Sequence, residues 1–131
     1  MNYEPLPDEL ERIGKEIVDS AYRVHQELGP GLLESVYEEC MVSHLRKNGL
    51  KVEVQDCLPV EFDGQVLQQN KVRIDMVVED KVVVENKAVS EMNPLFETQT
   101  LNYLRLGEMR LGYLINYNVT LIKNGIKRFV I

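Results

Sequence analysis

Cysteine, histidine, long apolar runs and net positive charge are all scarce in this chain, and each scarcity removes a class of function. Cysteine occurs only at Cys40 and Cys57, without the paired spacing of a zinc ribbon or a redox motif. Two isolated thiols read as reduced residues of a cytosolic, cytoplasmic protein rather than as a disulfide framework. Histidine occurs only at His25 and His44, and neither lies at ligand spacing from another histidine or cysteine. His44 falls on an apolar helical face and reads as a hydrogen-bonded core residue. Apolar runs reach three or four residues, against about 20 for a bilayer span. The opening "MNYEPLPDELERIGKE" is acidic and lacks the apolar stretch of a secretory signal. The formal net charge is −6, a poor balance for non-specific polyanion binding. The "GPG" at 29–31 has neither the lysine nor the strand context of a phosphate-binding loop.

What remains is an ordinary globular composition, 44% hydrophobic and 27% charged over 131 residues. That fits one domain, residues 1–131, with one core. No repeats, linkers or low-complexity segments interrupt it. The charge is uneven. Residues 1–40 are strongly acidic, whereas residues 101–131 hold one acid, Glu108, against Arg105, Arg110, Lys123, Lys127 and Arg128. This C-terminal third predicts either a local basic face or a solvated surface.

Periodicity then divides the chain. Leu10, Ile13, Ile17, Ala21, Val24 and Leu28 recur at three- and four-residue spacing and predict an amphipathic helix. Pro7 and Asp8 start it, and Gly29-Pro30-Gly31 stops it. A second helix is predicted over about 33–48, with Val36, Tyr37, Cys40, Met41, His44 and Leu45 inward and Asn48-Gly49 at its end. The period next changes to two. "LKVEVQ", "LPVEFDGQVL" with its Asp63-Gly64 turn, "VRIDMVV" and "KVVVENKAV" read as strands, the last two bending at Glu79-Asp80. "NPLFETQTLNYLRLGE" returns to helical spacing, with Leu95, Thr98, Leu101 or Asn102, and Leu104 on one side. "RLGYLINYN" and "VTLIKNGIKRFVI" close as strands with an Asn124-Gly125 turn. The order α–α–β–β–β–β–α–β–β makes an α+β domain with a mixed sheet flanked by helices.

One segment resists a purely structural reading. "RIDMVVEDKVVVENKAV", residues 73–89, is a valine-rich hairpin expected at the centre of the sheet, yet Asp75, Glu85 and Lys87 interrupt it. Glu85 and Lys87 are two apart and share a face, and the bend sets Asp75 almost opposite Val84 and Glu85. Paired carboxylates repel and need a counter-charge. Lys87 is one; a divalent cation such as Mg²⁺, held by carboxylates and substrate phosphate, is a better one. A lysine beside such an ion can activate water or stabilise charge developing on phosphate. The same trio also fits a weak exposed ion pair. Glu34, opening the second helix, and Gln99, in the helix after the hairpin with Tyr103 at i+4, are further polar candidates. They read equally as a helix-dipole complement and a solvent-facing amide.

"GLLESVY" (Gly31, Glu34, Tyr37), "VVEDKVVVENKAV", "ETQTLNYLRL" and the closing "KNGIKRFV" together resemble the GxxExxY proteins, a group within the PD-(D/E)XK nuclease-like superfamily. The resemblance runs from about Ile13 to the C-terminus. It implies a restriction-endonuclease-like α–β–β–β–α–β core, here with an extra N-terminal helix and C-terminal strand. It also implies roles: Asp75 and Glu85 as metal ligands, Lys87 as the motif lysine, Glu34 as the helix acid completing the metal site, and Gln99 as the glutamine near substrate or the lysine. Tyr37 and Tyr103 are read as packing residues. Ile74 stands where the motif often has proline. Asn86 replaces the usual apolar residue between acid and lysine, and must find partners on the opposite face. The function implied is a Mg²⁺- or Mn²⁺-dependent nuclease, with DNA preferred over RNA and the basic C-terminal third meeting the phosphates. One small domain offers little surface for a duplex, which points to a homodimer or larger complex. The alternative is an inactive nuclease-like module that binds a protein or nucleic acid.

Overall fold

A computed structural model describes residues 4–131. Two helices open the chain, α1 (Asp8–Leu28) and α2 (Glu34–Lys47). Strands β1 (Val52–Phe62), β2 (Gln65–Val78) and β3 (Val82–Lys87) follow, then α3 (Pro94–Leu106), β4 (Leu111–Asn116), a single 3₁₀ turn (Ile122–Asn124) and β5 (Ile126–Val130). The sheet runs β1-β2-β3-β4-β5. All neighbours are antiparallel except β3 and β4, which run parallel. Such a pair needs a crossover, and α3 supplies it. The valine-rich β3 is therefore central, as its composition predicts.

The helices divide between the two faces. On one face Ile17, Ala21 and Val24 of α1 and Tyr37, Met41 and Leu45 of α2 join Met76, Val78, Val82, Val84 and Ile115 in the main core. On the other, Leu104 of α3 meets Ile74, Val77, Val83, Leu114 and Phe129. Gly112 permits that approach, because a Cβ there would sit 3.1 Å from a Leu104 methyl. Ile74 and Val77 fall in the same cluster, so the two-residue alternation of β2 breaks between them, where Asp75 lies.

Several expectations are corrected. The four strands predicted before α3 are three, because "LKVEVQ" joins "LPVEF" and "QVL" joins "VRIDMVV". The result is a long β1–β2 ribbon turning at Asp63-Gly64, with a register shift between Pro59 and Glu61. Its outer half has no core beneath it, and Phe62 near the tip is 75% exposed. "VTLI" is not a strand, and Asn124-Gly125 is not a tight hairpin turn, since the 3₁₀ turn occupies it. Gly125 is needed there because any Cβ would collide with the Asn116 carbonyl. In α2, Val42 is buried, whereas Val36, Cys40 and His44 are only half-buried. In α3 the inward stripe is Phe96, Thr100 and Leu104; Leu95 and Thr98 are exposed. The predicted Leu104 is buried and Leu101 packs against the same cluster, so the prediction fails only in the first turns, where the Asn93 side chain caps the Leu95 amide at the exposed end of the helix.

The basic residues of the C-terminal third do not share a face. Arg110 bonds the carbonyls of Glu4, Pro5 and Ile131. Lys127 pairs with Glu97 of α3, whereas Arg128 pairs with Glu11 of α1 at 2.7 Å. Strand alternation sends successive residues of β5 to opposite sides of the sheet.

Candidate functional site

The β2–β3 register pairs Val78 with Val82, Val77 with Val83 and Met76 with Val84. The ladder stops there. At the next position side chains take over from backbone carbonyls: Glu85 Oε1 accepts the Asp75 N–H at 3.0 Å, and Asp75 Oδ2 accepts the Asn86 N–H at 3.1 Å. Two acids thus sit where the strands part, each tied to the other strand's backbone. Glu85 is only 6% exposed. Burial, then the Asp75 charge, push its carboxyl up to about 8. Among the described residues no lysine or arginine lies within ion-pairing distance of it.

Lys87 ends β3 with its ammonium 4.4 Å from the centre of the Phe96 ring. Phe96 lies in the first turn of α3, so the cation–π contact fixes the lysine between strand and helix. Glu34 is the first residue of α2. Burial raises its carboxyl, the Lys87 charge opposes that rise, and Asp75 adds to it. Glu34 therefore shares the field of the hairpin residues. Tyr37 explains how it is held. The Tyr37 hydroxyl donates to the Gly29 carbonyl at 2.6 Å and accepts the Leu32 N–H at 3.0 Å, and its ring stacks on Tyr117 at 4.6 Å. The glycine turn that delivers Glu34 is thus bonded to a fully buried tyrosine one helical turn later, so Tyr37 is a packing residue, as predicted.

Glu38 was missed by sequence reasoning. It lies one turn after Glu34, and its carboxyl is raised by burial, with Asp75 and Glu34 adding to the shift. The Gln55 amide donates to it at 3.2 Å. The i, i+4 spacing from Glu34 was a usable signal. Gln55 offered none, because its positive φ of 52° is set by the interrupted ladder rather than by residue type.

Gln99 makes no hydrogen bond to Lys87 among the described residues. It lines a cleft with Lys71, Arg73, Asn102, Tyr103 and Arg105. Tyr103 lies within the field of the acids: burial raises its phenol, and the charges of Glu85 and Asp75 add to that. Asn86 is fully buried on the far face. Its Nδ2 points at the Met76 sulfur at 3.1 Å, and its Oδ1 has no partner. His25 bonds the Val119 carbonyl at 2.8 Å and His44 the Ser20 hydroxyl at 3.0 Å, so both are satisfied structural residues.

A family model matches residues 11–129 and describes the PD-(D/E)XK nuclease superfamily. The chain belongs to that superfamily. No curated protein and no solved structure gives a significant match. The observed helices and mixed five-stranded sheet are those of the restriction-endonuclease-like fold. Nucleases of the superfamily generally use divalent metal ions, and the donor set here can be tested against that. Among the described residues no three His, Cys, Asp or Glu side chains converge into a ready cage. The set does not fit an all-protein cage such as Ca²⁺ or Zn²⁺ favours. It does fit an ion that keeps most of its waters and takes one or two carboxylates, as Mg²⁺ does. A buried carboxyl without a cationic partner, beside a second acid, is where such an ion offsets the greatest electrostatic cost. No helix among the described residues is long and apolar enough to cross a membrane.

Proposed function

We propose that the protein is a Mg²⁺- or Mn²⁺-dependent phosphodiesterase that hydrolyses nucleic acid, DNA in preference to RNA. The spacing of Gly31, Glu34 and Tyr37 supports placing it with the GxxExxY proteins of the superfamily. The observation that carries the reading is the Asp75–Glu85 pair where the central hairpin opens. Asp75 and Glu85 would hold the ion, with Glu34 completing its surroundings through water. When bound, the ion would polarise the scissile phosphate and lower the pKa of an attacking water. Hydrolysis forms a bond from water oxygen to phosphorus and breaks one phosphorus–oxygen ester bond. Lys87 would place its ammonium against the non-bridging oxygens as negative charge builds on them. Its position over Phe96 restricts the rotamers it must otherwise give up on binding. Gln99 would contact substrate rather than Lys87.

The alternative is a binding module that retains the nuclease fold without its chemistry. The absence of a closed carboxylate cage among the described residues favours it. One experiment separates the two. Linear, nicked, branched and single-stranded DNA, and RNA, are incubated with Mg²⁺ or Mn²⁺ and either wild type or Lys87→Ala purified identically. Cleavage by wild type alone is expected. Equal cleavage by both means a contaminant. No cleavage, with no Mn²⁺-dependent rise in melting temperature that Asp75→Ala abolishes, sinks the enzyme reading.

A further inference from the structure

A cleft next to the acids gathers cations, amides and an aromatic ring between β2 and α3. It has a volume of about 730 Å³ and is lined by three cations, two amides, one aromatic ring and the apolar side chains of Val72 and Leu106. Lys71 and Arg73 come from β2 and Arg105 from α3, so strand and helix form opposite walls. None of the three pairs with an acid among the described residues. Arg105 touches only the Asn102 side chain, at 3.4 Å. Of the other cations, Lys15, Arg23, Lys51, Lys81, Lys127 and Arg128 pair with acids, Arg46 and Arg110 bond backbone carbonyls and Lys87 lies over Phe96; Arg12, Lys47 and Lys123 also lack an acid partner among the described residues but do not line this cleft. Uncompensated cations gathered on one cleft of a protein with a net charge of −6 are an electrostatic footprint for a polyanion.

The remaining walls narrow the ligand. Gln99 and Tyr103 stand one turn apart on α3, and Asn102 lies between them. Aromatic rings among cations suit unpaired bases, which stack on the ring while their phosphates meet the charges. Side-chain amides can bond the exposed base edges. The volume matches pockets of about 300–1,000 Å³ that hold small ligands, which is room for a few nucleotides and not for a duplex.

We propose that this cleft seats a single strand of nucleic acid, with phosphates on Lys71, Arg73 and Arg105 and a base on Tyr103, leading the strand onto Asp75 and Glu85. The proposal rests on the nuclease reading for the strand's destination. Arg73 is two residues from Asp75 on the same strand, and Tyr103 shares the field of both acids, so the cleft adjoins the site. The duplex then enters only where it is frayed, branched or already single-stranded.

The test measures binding without cleavage. Fluorescein-labelled dT₂₀, U₂₀ and a blunt 20-base-pair duplex are titrated with the full chain in EDTA, from low to moderate salt, and followed by anisotropy. Wild type should bind a single strand at least tenfold more tightly than the duplex. Its logarithmic salt slope should be about −2, as three phosphate contacts imply. Lys71→Gln, Arg73→Gln and Arg105→Gln should each flatten that slope, and the triple variant should abolish it. Tyr103→Leu should weaken binding about tenfold or more with the slope unchanged, whereas Tyr103→Phe should bind as wild type. All four positions are partly or fully exposed, so circular dichroism is expected to show unaltered folds. Lys123→Gln, outside the cleft, is the control. The comparison of dT₂₀ with U₂₀ assigns DNA or RNA within the same proposal. Equal affinity for duplex, an unchanged slope in the triple variant, or no binding to any probe overturns it. Strand binding without metal-dependent cleavage overturns only the nuclease reading.

Discussion

Glu85→Gln should make the metal-free protein more stable, and the gain should depend on pH. Burial and the Asp75 charge raise the Glu85 carboxyl from 4.5 to about 8. The folded state therefore holds a proton through a window in which the unfolded chain has lost it. Where the folded state binds more protons, stability falls as pH rises. At about 1.4 kcal/mol per pKa unit, discounted because the two acids titrate together, the loss across the window is on the order of 3 kcal/mol. Glutamine keeps the oxygen that accepts the Asp75 N–H and can donate its amide to the Asp75 carboxylate, without ionising. The variant and wild type should match near pH 5, where the carboxyl is protonated, an approximate window edge set by the unfolded value. Near pH 8 the variant should be more stable by roughly 2–4 kcal/mol, a melting difference of the order of 10 °C for a chain this size. The assay is thermal or urea melting in EDTA at a series of pH values. Adding Mn²⁺ should reverse the order, because wild type gains a ligand that glutamine cannot hold as well. A variant that is no more stable at high pH, or a difference independent of pH, would show that Glu85 is not held against its ionisation.

Tyr37→Phe should cost about 1–2 kcal/mol, since it strands the Gly29 carbonyl and the Leu32 amide inside the turn; urea melting reads this. It should also lower any cleavage rate, by loosening Glu34, while leaving single-strand binding in EDTA unchanged. Asn86→Leu should stabilise by about 1 kcal/mol, because it removes a fully buried amide whose oxygen has no partner. Cleavage should not change, as the side chain lies on the far face and only the Asn86 backbone N–H meets Asp75. A destabilised Asn86→Leu would mean that a buried water satisfies the amide.

Much of this architecture is legible in residue types, and the failures have physical causes. Periods of 3.6 and two locate the helices and the central hairpin, because burial on one face imposes them locally. The nearness of Asp75, Glu85 and Lys87 follows from that hairpin, whereas Glu34 is expected beside them only from the family resemblance. The long ribbon was not legible: its outer strands lack a core, so nothing in their pattern distinguishes one bent strand from two. The Asn124-Gly125 dipeptide misleads, because the glycine answers a close approach to Asn116 rather than a positive φ. The basic residues of the C-terminal third look clustered in sequence, yet β5 distributes them to two faces. The cations that do gather, Lys71, Arg73 and Arg105, come from segments far apart in the chain, and only tertiary structure brings them together.

The break in the β2–β3 ladder has a spectroscopic consequence. Two main-chain amides, those of Asp75 and Asn86, are bonded to the carboxylates of the candidate site and not to a main-chain carbonyl of the neighbouring strand. Their protons therefore sense the ionisation and occupancy of those carboxylates directly. In an amide nitrogen–proton spectrum these two resonances are internal reporters, one on each strand, adjacent in space and assigned by two residues. Withdrawal of carboxylate charge toward an ion should weaken both hydrogen bonds together, shifting the two peaks upfield in concert and speeding their exchange with solvent, while the amides of Val77 and Val83, the second pair inside the ladder, stay still.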